Sequence, residues 1–355
     1  MIAVRCMLMR GGTSKGAYFL ASDLPADAAE RNSLLLRVMG SPDPRQIDGI
    51  GGGHPLTSKV AVVGPSSRPD ADVDYLFLQV AVDQHVVSDS QNCGNILAGV
   101  GPFAVERGLV ESIDGQNEIR IHMVNSGGLA TARFAMDGGT VTYEGDTEIA
   151  GVPGTAAPIA IEFADTAGST CGALFPSGRV VDEVDGVAVS CIDNGMPVVL
   201  VAAADLGLSG TESPTELEAD AELGERVSSI RRSAGKLMGF DDVSPLTVPK
   251  VTLVSTPASG GTLNTRTFIP VRCHTSIGVL GALTVAAAAR ISGTVAHRVS
   301  TSAGGPVRIE HPTGFFDCDI AIGTKPDGTT IIERSAVLRT ARKLFDGITF
   351  AAPSR

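Results

Sequence analysis

The sequence predicts an α+β protein built from two similar domains, each a curved, barrel-like sheet wrapped on one central helix. Three observations lead there. The 355 residues include 42 glycines and 20 prolines, a share above that of ordinary globular chains, so short elements and tight turns are expected rather than a helical bundle. Short β-like runs follow one another along nearly the whole length. Two helical segments of small apolar residues, each preceded by a polar, turn-prone stretch, lie about half a chain apart: Cys93 stands before the first, and Ser276, 183 positions later, before the second. With 43% hydrophobic and 19% charged residues the chain can bury large cores, and its length suits about two domains.

The β-like runs are Val4–Met9, Lys59–Val63, Tyr75–Val82, Glu118–Val124, Leu129–Met136, Ile159–Phe163, Val187–Ile192, Val198–Ala202, Lys250–Val254, Arg308–His311 and Asp317–Ile322. Many sit between Gly, Pro, Asp or Asn turn signals, the pattern of antiparallel or mixed sheets with frequent hairpins. Between the first two runs, Pro25–Met39 sets Leu34, Leu35 and Val38 beside Glu30, Arg31 and Arg37, which predicts a surface helix. Glu216–Met238 predicts another, with Leu223, Val227, Ile230 and Leu237 on one stripe. Ile96–Arg107 and Ile277–Arg290 differ, because they are apolar almost all round and suit helices enclosed on every side. Ahead of them stand Ser88-Asp-Ser-Gln-Asn-Cys-Gly-Asn95 and Arg272-Cys-His-Thr-Ser276. Two such helix N-termini would bring free N–H donors to a cleft between the domains, where an anion is favoured; a carboxylate is the expected ligand.

Charge and composition narrow the partners. Twenty-eight basic against 39 acidic residues give a net charge of −11, with no Lys/Arg run, which argues against nucleic acid or an anionic membrane. The apolar stretches Ile96–Val105 and Ile277–Ala289 fall well short of the ~20 residues a membrane span needs. The start, Met1 to Arg10, mixes Arg5 and Arg10 into its apolar residues and lacks a signal-peptide core, so the cytoplasm is the expected compartment. Cys6, Cys93, Cys171, Cys191, Cys273 and Cys318 form no CxxC or CxxH pair, so neither a zinc site nor a disulfide framework is expected. A homodimer is the expected assembly, since two-fold pairs are the commonest oligomers.

Three glycine-dense polar segments carry the chemistry: Met9-Arg-Gly-Gly-Thr-Ser-Lys-Gly16, Gly49-Ile-Gly-Gly-Gly-His-Pro-Leu-Thr-Ser-Lys59 and Gln91-Asn-Cys-Gly-Asn95. None is a nucleotide loop, because Ser precedes Lys in both lysine segments and the GxGxxG spacing is missing. Lys59 joins its glycine loop to Val60–Val63. Buried there, it would favour a neutral amine able to take a proton next to a carbonyl; the alternative is a surface lysine at a strand end. Cys93 falls at an expected helix N-terminus, where a thiolate is stabilised, or else it is a packed inert thiol. Arg10 and Lys15 stand either at an anion site or in solvent. Arg266, Arg272 and His274 cluster before the second central helix, with Thr275 and Ser276 as expected caps, and are either carboxylate holders or a solvated basic strand. Asp193-Asn-Gly-Met-Pro197 has turn chemistry and reads as a tight turn.

Six motifs in order resemble a known family: Met9–Gly16, Leu56-Thr-Ser-Lys-Val60, Asn92-Cys-Gly-Asn95, Asp193–Pro197, Arg272-Cys-His-Thr-Ser-Ile-Gly278 and Leu338-Arg-Thr-Ala-Arg-Lys-Leu-Phe-Asp-Gly347. The family is that of 2-methylaconitate cis-trans isomerase, methylitaconate isomerase and 4-oxalomesaconate tautomerase, and the likeness runs over nearly the whole chain. It implies a diaminopimelate-epimerase-like fold, with residues 1–165 plus 336–355 as the N-terminal domain and 166–335 as the C-terminal one. The last strand, Leu338–Phe350, would return to the first domain, and the active site would lie between the two. Epimerases of that fold use a cysteine at each central helix. Cys93 matches the first; Cys273 falls several residues before the second helix, and the equivalent point is nearer Gly278, which favours a one-base isomerisation.

For the isomerase branch the resemblance implies Lys59 as general base and Cys93 close to the substrate as a secondary proton donor. The reaction would be a 1,3-allylic shift of the 4-oxalomesaconate type, serving aromatic-acid and lignin breakdown. N–H groups of Gly94 and Asn95 and those near Ser276 would stabilise the dienolate. Arg10, Arg266 and His274 would hold carboxylates, and Gly11, Thr13, Ser14, Ser58, Asn92, Asn194 and Thr275 would complete the polycarboxylate site. No metal or organic cofactor is expected, because the conjugated carbonyl is the electron sink. Three alternatives stand beside this reading: 2-methylaconitate cis-trans isomerisation, a cysteine-dependent epimerase, and a carboxylate-binding module without catalysis.

Overall fold

The computed structural model describes residues 2–90, 92–111, 114–244, 246–301 and 304–353. Gln91, in the third glycine-dense segment, lies outside them. The chain divides into two compact units, Met1–Glu162 with Leu338–Arg355, and Phe163–Val337.

In the first unit β1 (Ile2–Gly11) and β2 (Ser14–Leu20) form a hairpin turned at Gly12, whose φ of 51° favours glycine. Helix α1 (Ala28–Met39) then crosses to β3 (Lys59–Pro65), which runs parallel to β2. Strand β4 (Val73–Val80) returns antiparallel to β3 and pairs with the short β5 (Val87–Ser88). The helical turns α2 (Gly94–Leu97) and α3 (Val100–Glu106) lead into β6 (Gly115–Met123), parallel to β4. Strands β7 (Gly128–Asp137), β8 (Thr140–Val141) and β9 (Pro158–Phe163) follow.

The second unit repeats the plan. After β10 (Asp182–Val184) come the hairpin β11 (Val187–Asp193) and β12 (Pro197–Ala202), then α4 (Pro214–Ala219) and α5 (Ala221–Leu237). Strand β13 (Lys250–Ser255) lies parallel to β12, and β14 (Leu263–Ile269) turns back and pairs with the short β15 (Arg272–Cys273). Next are α6 (Val279–Arg290), α7 (Val295–Val299), β16 (Val307–His311) parallel to β14, and β17 (Gly314–Thr324). The long β18 (Thr330–Ala351) pairs with β17 through its first third, and from Ala341 to Ala351 it pairs with β1. Among the described residues, β1, β2, β3, β4, β6, β7, β9 and β18 thereby close into a ring.

Strand alternation decides what each sheet face meets. On β2 and β3, Ala17, Phe19, Val60 and Val62 pack under the α1 stripe Leu34, Leu35, Val38 and Met39; each such buried aliphatic is worth about 1.5–3 kcal/mol. The other face, with Tyr18 and Ala61 fully buried, encloses α2 and α3, whose residues from Ile96 to Val105 are all buried. In the second unit Val199, Val201, Val251 and Leu253 pack under the α5 residues Leu223, Val227 and Ile230. There α6 is buried from Gly281 to Ala289.

Three helices differ from expectation. The first central helix is not continuous over Ile96–Arg107 but restarts after Ala98-Gly99. A continuous helix would put Pro102 against the Ala98 carbonyl with no N–H to bond it. Instead the Ile96 carbonyl accepts from Gly99 N–H and from the Tyr18 hydroxyl at 2.5 Å. Glu216–Met238 is likewise two helices joined at Asp220, whose carboxylate caps Leu223 N–H at 2.9 Å. The second central helix begins at Val279 with Gly278 as its N-cap, so Thr275 and Ser276 are not its caps. Among the described residues no helix is long and apolar enough to cross a membrane.

Candidate active site

Lys59 opens β3, and because Val60 and Val62 face α1, alternation turns Lys59 to the enclosed face. It is 7% exposed, not a surface lysine. Its Nζ donates to Gln79 Oε1 at 2.9 Å and stands 5.1 Å from the centroid of Phe77. Gln79 is itself held: its Nε2 donates to the Ser58 carbonyl at 2.9 Å and the Pro55 carbonyl at 3.1 Å. Those two donations leave the amide oxygen as the atom that must face the lysine. Tyr75, Phe77 and Gln79 alternate along one face of β4. At the far end of that row the Tyr75 hydroxyl donates to the Cys93 carbonyl at 3.3 Å.

Cys93 is the N-cap of α2, and the first-turn N–H groups of that helix have no intrahelical acceptor. The hairpin loop between β1 and β2 wraps around this turn. Asn95 Nδ2 donates to Thr13 Oγ1 at 3.1 Å, and a Cβ at Gly11 would stand 2.4 Å from the Asn95 carbonyl oxygen. Gly16 pairs in register with Lys59, and its bare Cα admits Ile96; a Cβ there would stand 2.9 Å from both Ile96 Cδ1 and the Lys59 carbonyl oxygen. Three segments that are distant in sequence therefore meet inside the first unit. Burial, with the Cys93 sulfur as the next contribution, pushes the phenols of Tyr18 and Tyr75 well up, so both remain donors at neutral pH. Among the described residues Ser14 Oγ and Asn92 Oδ1 are buried without a hydrogen-bond partner, a situation a bound donor or water would relieve.

The remaining expected site residues are placed differently. Ser58 is fully buried and gives its hydroxyl to the Val80 carbonyl at 2.9 Å while accepting from Gln46 Nε2 at 2.7 Å; it braces the loop instead of facing a ligand. Asn92 donates to Ser126 Oγ at 2.6 Å and is not a helix cap. Arg10 directs Nη1 to the Gly12 carbonyl, the Thr340 carbonyl and Thr340 Oγ1, each at 3.0 Å. It lines a cavity of about 420 Å³ with Tyr143, Glu144, Arg342 and Lys343. Burial and then Arg342 push its guanidinium down from the ordinary value.

In the second unit Asn194 is 0% exposed, accepts from Thr166 Oγ1 and donates to the Leu283 carbonyl and Ser335 Oγ. Both amide hydrogens and the amide oxygen are engaged by the core, and the side chain is closed off from solvent. Arg266, 6% exposed, donates Nε to the Glu212 carbonyl and Nη1 to Asn264 Oδ1 and the Thr265 carbonyl; it is a buried structural arginine and not part of a solvated strand. His274 Nδ1 accepts from Ser276 N–H at 2.8 Å, Ser276 Oγ meets His311 Nε2 at 3.3 Å, and the Thr275 carbonyl accepts from Thr313.

Sequence reasoning missed Gln79 and Gln46. Gln46 carries a φ of 47° and accepts from Gly53 N–H at 3.0 Å, fixing the glycine loop ahead of Lys59. A signal for Gln79 was present: it is the one amide in the hydrophobic run Tyr75–Val82, on the same alternation face as Tyr75 and Phe77. Among the described residues no three His, Cys, Asp or Glu side chains are grouped so as to hold a metal ion.

The PrpF protein family matches residues 1–352. The chain is 55% identical over 353 residues to the (4E)-oxalomesaconate Delta-isomerase of Novosphingobium sp. (strain KA1), covering 99% of this chain and 98% of that one. A solved methylitaconate-delta-isomerase superposes with a TM-score of 0.88 at 36% identity, over 98% of this chain and 95% of the other. A hydroxyproline epimerase from Agrobacterium vitis, 15% identical with a TM-score of 0.54 over 99% and 94% of the two chains, shares the fold alone. The architecture is the diaminopimelate-epimerase-like one. With the motifs, the duplicated strand order and these matches in agreement, the chain belongs to the PrpF family and is an isomerase.

Proposed function

We propose that the protein moves a carbon–carbon double bond in a polycarboxylate of the 4-oxalomesaconate type, with Lys59 as the general base. The observation that carries this is a buried lysine whose Nζ is held by one neutral acceptor, Gln79, above the Phe77 ring. A lysine so placed can receive a proton and give it back. Lys59 Nζ takes the proton from the carbon alpha to the enone, and the C–H electron pair becomes a new C=C bond. The old π bond shifts toward the carbonyl, whose oxygen takes the negative charge. Reprotonation two carbons from the first site then completes the 1,3 shift with no net change in atoms or electrons. Cys93, linked to the same β4 face through Tyr75, is the second proton donor in this reading. The first-turn N–H groups of Gly94 and Asn95 are oriented donors toward the enolate. The name of the Novosphingobium relative supports the substrate type; a place in aromatic-acid breakdown follows from the motif resemblance alone.

A two-thiol epimerase is disfavoured, because the N-cap equivalent to Cys93 is Gly278. Cys273 is buried and its thiol is pushed up to about 11, first by burial. Isomerisation of 2-methylaconitate is the second reading, favoured by 35% identity to the 2-methyl-aconitate isomerase of Shewanella oneidensis. The test is ultraviolet turnover of 4-oxalomesaconate and, separately, 2-methylaconitate in D2O, with exchange positions read by NMR. Lys59→Met should abolish turnover and leave the circular dichroism unchanged, while Cys93→Ser keeps measurable activity. Full activity of Lys59→Met would remove the lysine from the mechanism.

A further inference from the structure

The internal duplication sets a second lysine where the first unit has Lys59. Lys59 is the first residue of β3 and Lys250 the first of β13. Each of these strands runs parallel to the strand before its outer helix and antiparallel to the strand after it. Val251 and Leu253 pack under α5, so alternation turns Lys250, like Lys59, to the opposite, central-helix side. Its Nζ lies 3.7 Å from where a Cβ on Gly278 would stand, and Gly278 caps α6 as Cys93 caps α2.

The surroundings of the two lysines differ. Lys59 has Gln79, whereas Lys250 has no hydrogen-bond or ion-pair partner among the described residues, and burial alone pushes its ammonium down from the ordinary value. Beside it, the His274 ring accepts Ser276 N–H on Nδ1, so in the neutral ring Nε2 carries the proton and is a donor. Burial first, then the charge of Lys250, hold that ring below the usual histidine value. The N-cap of α6 makes no side-chain bond to the first turn. Arg266, the cation expected for this unit, is committed to Glu212, Asn264 and Thr265. What remains is a half-buried cation and an imidazole donor with no acid facing them among the described residues. An uncompensated buried charge disfavours folding and is retained where a ligand answers it.

We propose that Lys250 and His274 bind one carboxylate group of a polycarboxylate ligand at the start of α6. The proposal rests on the preceding reading for the class of ligand and not for the reaction. The probe is tricarballylate, a saturated tricarboxylate with no double bond to move, titrated calorimetrically into the full-length wild type, Lys250→Met and Lys250→Arg. Loss of a charge-assisted contact should weaken tricarballylate binding at least ~10-fold in Lys250→Met, with Lys250→Arg tighter than Lys250→Met. A loss below ~10-fold, or no tricarballylate binding by the wild type, overturns the site. Should Lys250→Met lack the wild-type circular dichroism, Lys250→Gln is read against the same threshold. Turnover separates the two readings: if binding depends on Lys250 while the wild type moves no double bond, the carboxylate site stands and the isomerisation fails.

Discussion

Gln79 is where the geometry makes the sharpest demand. Replacing it with leucine keeps the approximate volume but removes the acceptor of Lys59 Nζ and the two donations to Ser58 and Pro55. At roughly 0.5–1.5 kcal/mol net per bond the loss of three bonds should cost about 1.5–4.5 kcal/mol of stability. The larger effect should fall on kcat, because a base released from its position loses near-attack geometry; displacement by about 1 Å costs up to ~100-fold. KM should change little if Gln79 positions the lysine without touching substrate. Gln79→Glu probes the electrostatics separately. A carboxylate 2.9 Å from Nζ interacts at an upper limit of about 6 kcal/mol for an effective dielectric near 20. The acid limb of the kcat/KM pH profile should therefore move to higher pH, because a carboxylate beside Nζ favours the charged amine. Stopped-flow turnover across pH, with thermal melts to confirm folding, measures both. A Gln79→Leu enzyme with kcat within twofold of wild type, or a Gln79→Glu profile superimposed on the wild-type one, would refute the positioning argument.

Two further outcomes follow from contacts in the same unit. Gly11→Ala sets a Cβ 2.4 Å from the Asn95 carbonyl oxygen; backbone cannot give way cheaply, so α2 should shift and kcat should fall by about 10–100-fold, whereas Gly224→Ala, with nothing within 4 Å, should leave turnover unchanged. Asp346→Ala strands Arg107, whose side chain is 3% exposed and is otherwise held bidentately at 2.9 and 2.7 Å. The cost should be about 2–3 kcal/mol in urea unfolding, discounted for the partly exposed carboxylate. The Arg107 hydrogen bond holds the Asp346 carboxyl below its usual range, so this stabilisation is complete above the ordinary carboxylate pKa and fades as pH falls through the folded value. Wild type and Asp346→Ala should therefore converge in acid; a constant difference down to acid pH would show that the pair contributes no charge-dependent stability.

The fold was legible because its signals are local. The stripe of α1, the small-residue sequences of α3 and α6, and the alternation in β3 and β13 each depend on neighbours a few residues away. Strands β2 and β14 escaped notice for opposite reasons. The first begins inside a glycine loop and reads as turn, and the second, Leu263–Ile269, buries Asn264, Thr265, Arg266 and Thr267, which read as solvent-facing. Burial of such residues becomes tolerable only when partners elsewhere satisfy them. The candidate site divides the same way. Lys59, Cys93, Thr13 and Asn95 stood out in glycine-dense segments, and those segments are brought together, while Ser58, Asn194 and Arg266 had the right chemistry and are taken up by the interior.

What the sequence by itself determined is the duplicated α+β plan, the enclosed pair of central helices and the short set of residues able to do acid–base chemistry, because periodicity and residue type carry that information along the chain. Only the tertiary structure decided which of those residues are free to act. Gln79 holds Lys59 from 20 positions away, the Glu212 carbonyl occupies Arg266 from 54, and Ser335 occupies Asn194 from 141. A hydrogen-bonding group is available to a ligand only if no such distant partner has satisfied it, and that is a property of packing, which no local pattern records.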